Sequence, residues 1–434
     1  MALGRAGGGL MSTVAAVGGR YLESLLAQAA SASQNSSLAL DTLRAAARAL
    51  VQERAFPSNR DEDWRFTDLS SMLETAFQVP AAPADTVLGQ AKTLLADVSL
   101  TDGGQVIFVN GTFVESLSNL GNDISVLSQL ATAPDCLAQV QGNNEVFTAL
   151  NTAGFADAAV VHVAKNTVVE QPVQVIYLTI GDALLVQPRC LVIAEASSAV
   201  TLVEEFHGTG SSFTNSVTEV WVHDNAEVTH LRLQQESAET VHIGKTAVSQ
   251  ARDSRYRTTA INLGAGISRH NLEVYQTGPQ TETTLNGLTA IRDKQLADTH
   301  SLIALSHPHG TADQLQKNIM DERAHGVFNG KVYVPQKAQL TNASQLNRNL
   351  LLSAKSRVDT KPELDIVADD VKCAHGATIS QLAPDELFYL QSRGINRDQA
   401  QRLLIYAFAM EIIEPIPVAP LRERMTQYIQ QWTV

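Results

Sequence analysis

From Arg20 to about Ala96 the apolar residues recur at helical spacing, with Tyr21, Leu22, Leu25, Leu26 and Ala29 on one face and Leu40, Leu43, Ala47 and Leu50 on another. Pro57 stops the second helix. After about Val98 the pattern changes to short runs of β-branched and apolar residues broken by Gly, Asn and Asp. Gln105 to Val109, Val173 to Leu178, Cys190 to Ala194, Val220 to Val222 and Glu227 to Leu233 are examples, and the texture persists to about Leu382. Helical spacing then returns with clear punctuation. Pro384, Asp385 and Glu386 open one helix, which Arg393 and Gly394 close. Asn396 caps the next, with Gln399 three residues on and Ala400, Leu403, Leu404, Ala407 and Phe408 as its apolar stripe. Pro415 and Pro417 stop it, and Leu421, Met425, Tyr428, Ile429 and Trp432 form the stripe of a last helix.

Many short strands with almost no helix between them mean an antiparallel sandwich or a coiled parallel solenoid. The stretch from 98 to 382 is far longer than the ~100 residues of one immunoglobulin-like sandwich. Two-residue hairpin signals are few: Asn110-Gly111, Asn286-Gly287 and Asn329-Gly330. Ala199-Val200-Thr201-Leu202 and Ala226-Glu227-Val228-Thr229 begin alike, as stacked coils would, and the polar run Thr341, Asn342, Ser344, Gln345, Asn347, Asn349 suits coils that line up amide side chains. The expected organisation is mainly β: a disordered tail over 1–19, a helical region over 20–97, a parallel β-helix over 98–382 and a helical region over 383–434. A helical tail this short does not fold alone, so it should pack on the end of the solenoid or offer a groove to a partner.

Composition narrows the function. A net charge of −13 over 434 residues, with no basic stripe, argues against nucleic-acid binding. Cys136, Cys190 and Cys373 are widely spaced and odd in number, which suits a reducing compartment and excludes a disulfide framework or a four-cysteine metal site. No apolar run approaches the ~20 residues of a membrane span. Residues Met1 to Gly19 are rich in Gly and Ala but lack a long apolar core, and Met11 offers an alternative start.

Nucleotide and hydrolase motifs fail. Gly244-Lys245-Thr246 ends like a phosphate-binding loop, but Glu239 stands where that motif needs glycine. Gly264-Ala265-Gly266 has Arg269 in the place of its third glycine. A carbohydrate-active solenoid would need clustered carboxylates and aromatics, yet aromatics are only 5% of the chain and no such cluster appears. What remains is the run Val371-Lys372-Cys373-Ala374-His375-Gly376-Ala377-Thr378-Ile379. On a strand, Cys373 and His375 share a face, within reach of one metal ion or one partner surface. The competing explanation is packing, because Val371 lies on that face too and free Cys is commonly buried. His307-Pro308-His309 is a second tight imidazole pair that could bind metal, with a turn as the competing explanation, and Asp365, Asp369 and Asp370 could assist a metal or form a solvated strand edge. Trp64 and Phe66, in Trp64-Arg65-Phe66-Thr67, read as anchors of the helical region against the next domain.

Several literal strings then point to a family. Asn347-Arg348-Asn349-Leu350-Leu351-Leu352-Ser353, Arg357-Val358-Asp359-Thr360-Lys361-Pro362-Glu363-Leu364 and Ala368 to Ala377 resemble the SufB/SufD family of the SUF iron–sulfur assembly system. So do Gly326 to Lys331, Leu387 to Ile395 and Trp64 to Thr67. The resemblance covers most of the chain after about Leu38. Gly376, where SufB proteins usually carry glutamate, favours the SufD side, and a SufB-type paralogue is the alternative within the family. The resemblance implies a right-handed parallel β-helix between helical ends. It implies a scaffold without catalysis of its own, paired with SufB through the β-helix and with the SufC ATPase through the C-terminal helices, and a homodimer when isolated. It places Cys373 and His375 at the SufB interface as candidate ligands of a transient iron–sulfur cluster, with no cofactor held permanently by this chain alone. Pro384, Leu387, Phe388, Arg393 and Gly394 become the candidate SufC contacts, and the expected location is the cytoplasm or the plastid stroma. A structural partner that donates no cluster ligand is the alternative outside these roles.

Overall fold

In the computed structural model, which describes residues 7–32, 38–100, 103–142 and 144–432, successive strands from Gln105 to Ser380 feed alternately into two ten-stranded sheets. They wind as a β-solenoid of about eight turns. From Ala199–Thr209 onward the alternation is regular, and each strand pairs in parallel with its equivalents one coil earlier and one coil later. Thr201, for instance, lies beside Thr229, and Thr229 beside Arg257. Inward side chains alternate with outward ones, so Val200, Leu202, Phe206, Val220, Val222, Val228, Tyr256, Val274 and Ile303 close one continuous core between the sheets.

The coils turn by a repeated device. At the corner leaving the second sheet, Asn225, Asp253, Gln280, His309 and Leu340 all take a left-handed conformation, with φ from 57° to 62°. Each donates its N–H to a carbonyl of the next coil, from Asn225 to Arg252 (2.9 Å) through His309 to Gln339 (3.1 Å) and Leu340 to Asp370 (2.7 Å). The corner backbone groups are thus satisfied coil to coil, as the strand groups are. His307 and His309 lie in this corner, as turn residues.

Among the described residues seven α-helices flank the solenoid: α1 (Gly7–Ala32), α2 (Leu38–Glu53), α3 (Asp85–Val98), α4 (Val146–Gly154), α5 (Pro384–Ser392), α6 (Arg397–Ile413) and α7 (Ala419–Gln431). Of the tail expected over 1–19, residues 1–6 lie outside the described residues, and from Gly7 the chain is helical. No proline interrupts it before the apolar face of Leu22, Leu25, Leu26 and Ala29, so one helix extends through both segments. The stretch expected to hold only strands contains α4. All nine of its residues are buried between α1, α2 and the outer face of the second sheet, the polar Thr148, Asn151 and Thr152 included, and at nine residues it is too short to show a clear helical period. Glu145 caps it, its carboxylate accepting from the Phe147 (3.2 Å) and Thr148 (3.0 Å) amides.

The Trp64 segment anchors as expected, though only one of the two side chains expected to hold it is buried. Trp64 is buried against Phe147 and lies under the Arg269 guanidinium, 3.9 Å from its ring centre. Phe66, by contrast, is exposed, and the second anchor is Thr67, whose hydroxyl donates to buried Asp298 at 2.5 Å. Asp298 also pairs with Arg269 (2.7 Å) and His300 (3.0 Å).

The C-terminal helices lie along the flank of the solenoid, not on its end. α6 and α7 bury Ile405, Ala409, Ile412, Ile413, Leu421, Met425, Ile429 and Trp432 against Leu231, Leu233, Ile261, Leu288, Ile319 and Leu350 of the first sheet. Arg424 fixes α7, donating to Glu205 (2.5 Å) and to the Val98 carbonyl (2.7 Å). The α6 stripe departs from expectation. Its buried face is centred on Ile405, Ala409 and Ile412, while Leu403 and Ala407 face outward.

Candidate functional site

Val371–Ser380 is the last strand of the first sheet, and Arg357–Ile366 the last of the second. Among the described residues nothing pairs with their outer edges, so the solenoid is open here. The register places Cys373 beside Ala343, His375 beside Gln345, Ala377 beside Asn347 and Ile379 beside Asn349. Ala343, Gln345, Asn347 and Asn349 are the buried, inward residues of their strand. Cys373 and His375 therefore do share a face, and it is the interior face of the coil. In the preceding coil that face is covered. Here, for want of another turn, it is a mouth.

The two side chains differ within it. Cys373 is half-buried and packs on the core with Val371, and its thiol is free. Burial pushes the thiol pKa up, against a smaller lowering by a backbone hydrogen bond from Ala343, so in the isolated chain the thiol is not activated towards thiolate. His375 is exposed. Across the mouth, Thr360 of the facing strand donates to Asn347 (2.9 Å), which also accepts from Asn349 (2.6 Å).

Among the described residues, no group of three or more His, Cys, Asp and Glu side chains is placed to hold a metal ion. Asp365, Asp369 and Asp370 are exposed on the rim: Asp365 pairs with Lys331 (2.9 Å), and Asp369 accepts from Gln336 (2.8 Å). The two terminal edges contrast in charge. Arg357–Ile366 alternates Arg357, Asp359, Lys361, Glu363 and Asp365 outward, whereas Val371–Ser380 carries one charged residue, Lys372. Charges are the ordinary guard of a free strand edge, and the second edge has almost none. Leu340, Val367 and Ile379 are exposed at the same end.

A second surface lies on α5. Pro384 begins it, Gly394 ends it at φ 86°, and none of its residues is buried. Phe388 is 73% exposed, Tyr389 58% and Leu403 of α6 46%, while Leu387 is half-covered. Arg393 lies over the Tyr389 ring at 5.3 Å. Tyr389 and Leu403 belong to this surface although sequence reasoning passed over them as contacts. Leu403 was read as part of the inward stripe. An exposed apolar patch of this kind marks an interaction surface.

Polar groups also run through the interior, where sequence reading had expected stacked amides only towards the end. Glu204 accepts from Thr218 (2.7 Å) and pairs with His230 (3.1 Å), whose other nitrogen meets Tyr256 (3.0 Å). Glu236 pairs with His242 (2.6 Å), which contacts Arg232 (2.7 Å). All are buried. Burial lowers the His242 pKa, Glu236 opposing. At Glu236 burial would raise the carboxyl, but the His242 ring and two hydroxyl or amide donors hold it below the usual range.

Comparison with known proteins agrees with this architecture. Residues 177–408 match the family model described as SUF system FeS cluster assembly, SufBD core domain, and residues 17–175 match the SufBD protein N-terminal region. The chain is 42% identical over 437 aligned positions to an iron–sulfur cluster assembly SufBD family protein of Synechocystis, covering 96% of each. It is 35% identical to the chloroplastic protein ABCI7 of Arabidopsis thaliana, covering 92% of this chain and 87% of the relative. It is 30% identical to the iron–sulfur cluster assembly protein SufD of Escherichia coli, covering 86% and 89%.

Proposed function

This chain belongs to the SufBD family of the SUF iron–sulfur cluster assembly system, and we propose that it serves there as a SufD-type scaffold subunit without catalysis of its own. The observation that carries the reading is the open coil: an interior face bearing Cys373 and His375, left uncovered beside an edge with a single charge. A solenoid end needs a cap, and a second solenoid of the SufB type meets that need by closing its own mouth on this one. The cluster is then cargo built between two chains. That accounts for a site with too few ligands of its own, since an iron–sulfur cluster takes four thiolate or imidazole donors in all. His375 is the residue of this chain that reaches the junction, as a ligand or as a proton acceptor for a partner thiol. Cys373, half-buried with a raised pKa, contributes packing first.

The exposed face of α5 and α6 is the proposed seat of the SufC ATPase, since α7 and the rest of α6 are occupied in covering the first sheet. No helix of the described residues is long and apolar enough to cross a membrane, and the chloroplastic and bacterial relatives suit action in a cytoplasm or plastid stroma.

The test is coexpression with a SufB-type chain and SufC, followed by anaerobic reconstitution and assay of iron and acid-labile sulfide. His375→Ala should leave the complex and its melting temperature nearly unchanged while iron and sulfide fall, and Cys373→Ser should have the smaller effect. Normal cluster content in the His375→Ala complex would remove the role given to His375. Separate monomers on size-exclusion chromatography would remove the pairing.

A further inference from the structure

Directly beneath His375 in the stack lies Gln345, 2% exposed, one strand spacing away (about 4.8 Å) on the same interior face. Its amide belongs to a hydrogen-bonded chain. Gln345 Nε2 donates to Gln314 Oε1 at 2.8 Å, and Gln314 Nε2 donates to Ser301 Oγ at 2.8 Å. Ser301 Oγ in turn donates to Gln314 Oε1 at 3.1 Å, so both ends of the Gln314 amide are satisfied. Gln314 Oε1 is taken up by Gln345, but Gln345 Oε1 is buried with no hydrogen-bond partner. The neighbouring amides are not in this position: Asn347 Oδ1 accepts from Thr360 and Asn349, and Asn349 Nδ2 also reaches the Thr378 carbonyl at 3.0 Å. The Gln345 amide is also wedged in place. Its nitrogen is held by Gln314, and across the core stands Gly330, where a Cβ would come within 2.3 Å of that nitrogen.

A buried acceptor left without a donor costs roughly 1–3 kcal/mol, and the next side chain in its column carries a ring N–H. We propose that Gln345 is a positioning residue for His375. Its Oε1 accepts the inward N–H of the imidazole once the exposed His375 ring folds in over it, and this fixes one tautomer. The outward nitrogen is left with its lone pair facing the partner, ready to bind iron or accept a thiol proton. Metal-binding imidazoles ordinarily have their second nitrogen fixed in this way. The inference rests on the role of His375 proposed above.

The full chain, labelled with [15N]histidine and held at about pH 8.5, some two units above the usual imidazole pKa, reports the tautomer through long-range 1H–15N correlations. The signals lost in His375→Ala identify the ring. In the wild type one ring nitrogen should show a protonated shift and the other a bare one. Gln345→Met, of similar volume and without the acceptor, should average the two towards the solution mixture, and Gln345→Glu, which keeps the oxygen, should restore them. Unchanged melting and circular dichroism would establish that the variants fold. In the reconstituted complex at limiting iron, Gln345→Met should retain roughly ten-fold less iron and sulfide, with Gln345→Glu recovering most of it.

Identical ring shifts in the wild type and Gln345→Met would overturn the inference, as would failure of Gln345→Glu to restore them. The two proposals fail separately. Full cluster content in His375→Ala removes the role of His375 while leaving the tautomer result standing. Loss of clusters in His375→Ala with ring shifts indifferent to residue 345 removes only the positioning role of Gln345.

Discussion

Phe388→Ala isolates the α5 surface, because its effect on folding and its effect on docking separate cleanly. In the free chain the ring is 73% exposed on a helix with no buried residue. Its truncation removes almost no internal packing, and stability should stay within about 0.5 kcal/mol of the wild type. Docking is another matter. A phenylalanine presents roughly 200 Å², so 73% exposure leaves about 150 Å² to be covered by a partner. At about 25 cal/mol per Å² that is between 3 and 4 kcal/mol. Ordering the side chain takes back about 1 kcal/mol, leaving 2–3 kcal/mol, or roughly 30- to 150-fold in affinity. Calorimetric titration of the SufC ATPase into the wild type and Phe388→Ala, with thermal melts of both, measures the two quantities. Leu403→Ala, on the adjoining helix and 46% exposed, should show a smaller loss in the same direction. Wild-type affinity in Phe388→Ala would show that this face is not the seat of the ATPase, and a large drop in melting temperature would show that the ring is packed in solution.

Other consequences can be checked on the chain alone. Burial would raise the Asp298 carboxyl, but Arg269, His300 and Thr67 outweigh it and hold its pKa near about 2. Because this is below the unfolded value of about 3.9, the stabilisation is complete above about pH 5 and is lost as the pH falls through about 2, a change of about 2–3 kcal/mol. Urea titrations across that range should show a shallower acid decline for Asp298→Asn than for the wild type, and parallel curves would contradict the assignment. A Cβ at Gly154 would come within 2.3 Å of the Ala29 Cβ where α4 crosses α1, so Gly154→Ala should cost about 1–3 kcal/mol in chemical denaturation. An unchanged midpoint would mean that the two helices are not in contact. Deleting everything after Ala383 uncovers Leu231, Leu233, Ile261, Leu288 and Ile319, so light scattering should detect association that the wild type lacks. A monodisperse truncated chain would show that α6 and α7 are not needed to cover this sheet.

The solenoid was legible in the sequence because alternation over many short runs leaves few architectures for a strand-rich stretch of this length. Its coil boundaries were not. The corner device requires a left-handed residue once per coil, yet the residues that supply it are Asn225, Asp253, Gln280, His309 and Leu340. Only the first two are types that signal such a turn. The others are held there by the hydrogen bond to the next coil, which is a tertiary cause with no local trace. α4 was hidden because it is only nine residues long and its polar side chains, Thr148, Asn151 and Thr152, are buried with the rest. The α6 stripe was misplaced because Leu403, Leu404, Ala407 and Phe408 fit helical spacing as well as the true buried set of Ala400, Ile405, Ala409, Ile412 and Ile413 does. A helix with apolar residues on two faces states only that both faces need company. One of them found it within the chain.

That ambiguity carries over to the mouth of the solenoid. Spacing on a strand placed Cys373 and His375 on one face, but not whether that face would be core or surface, since a Cys-x-His pair satisfies either. The stacking resolves the question by making it both. The face is interior in every coil that has a successor, and Gln345 and Asn347 occupy it fully buried in the coil before. It is exterior only because the coil of Val371–Ser380 has no successor in this chain. Residues selected for such a place must be tolerable in a core and chemically useful at a surface. A half-buried thiol, an exposed imidazole and a buried amide oxygen awaiting a donor meet that description together, and an ordinary polar surface would need none of them. On the function proposed above, the pattern is that of half a site, completed by the chain that supplies the next turn.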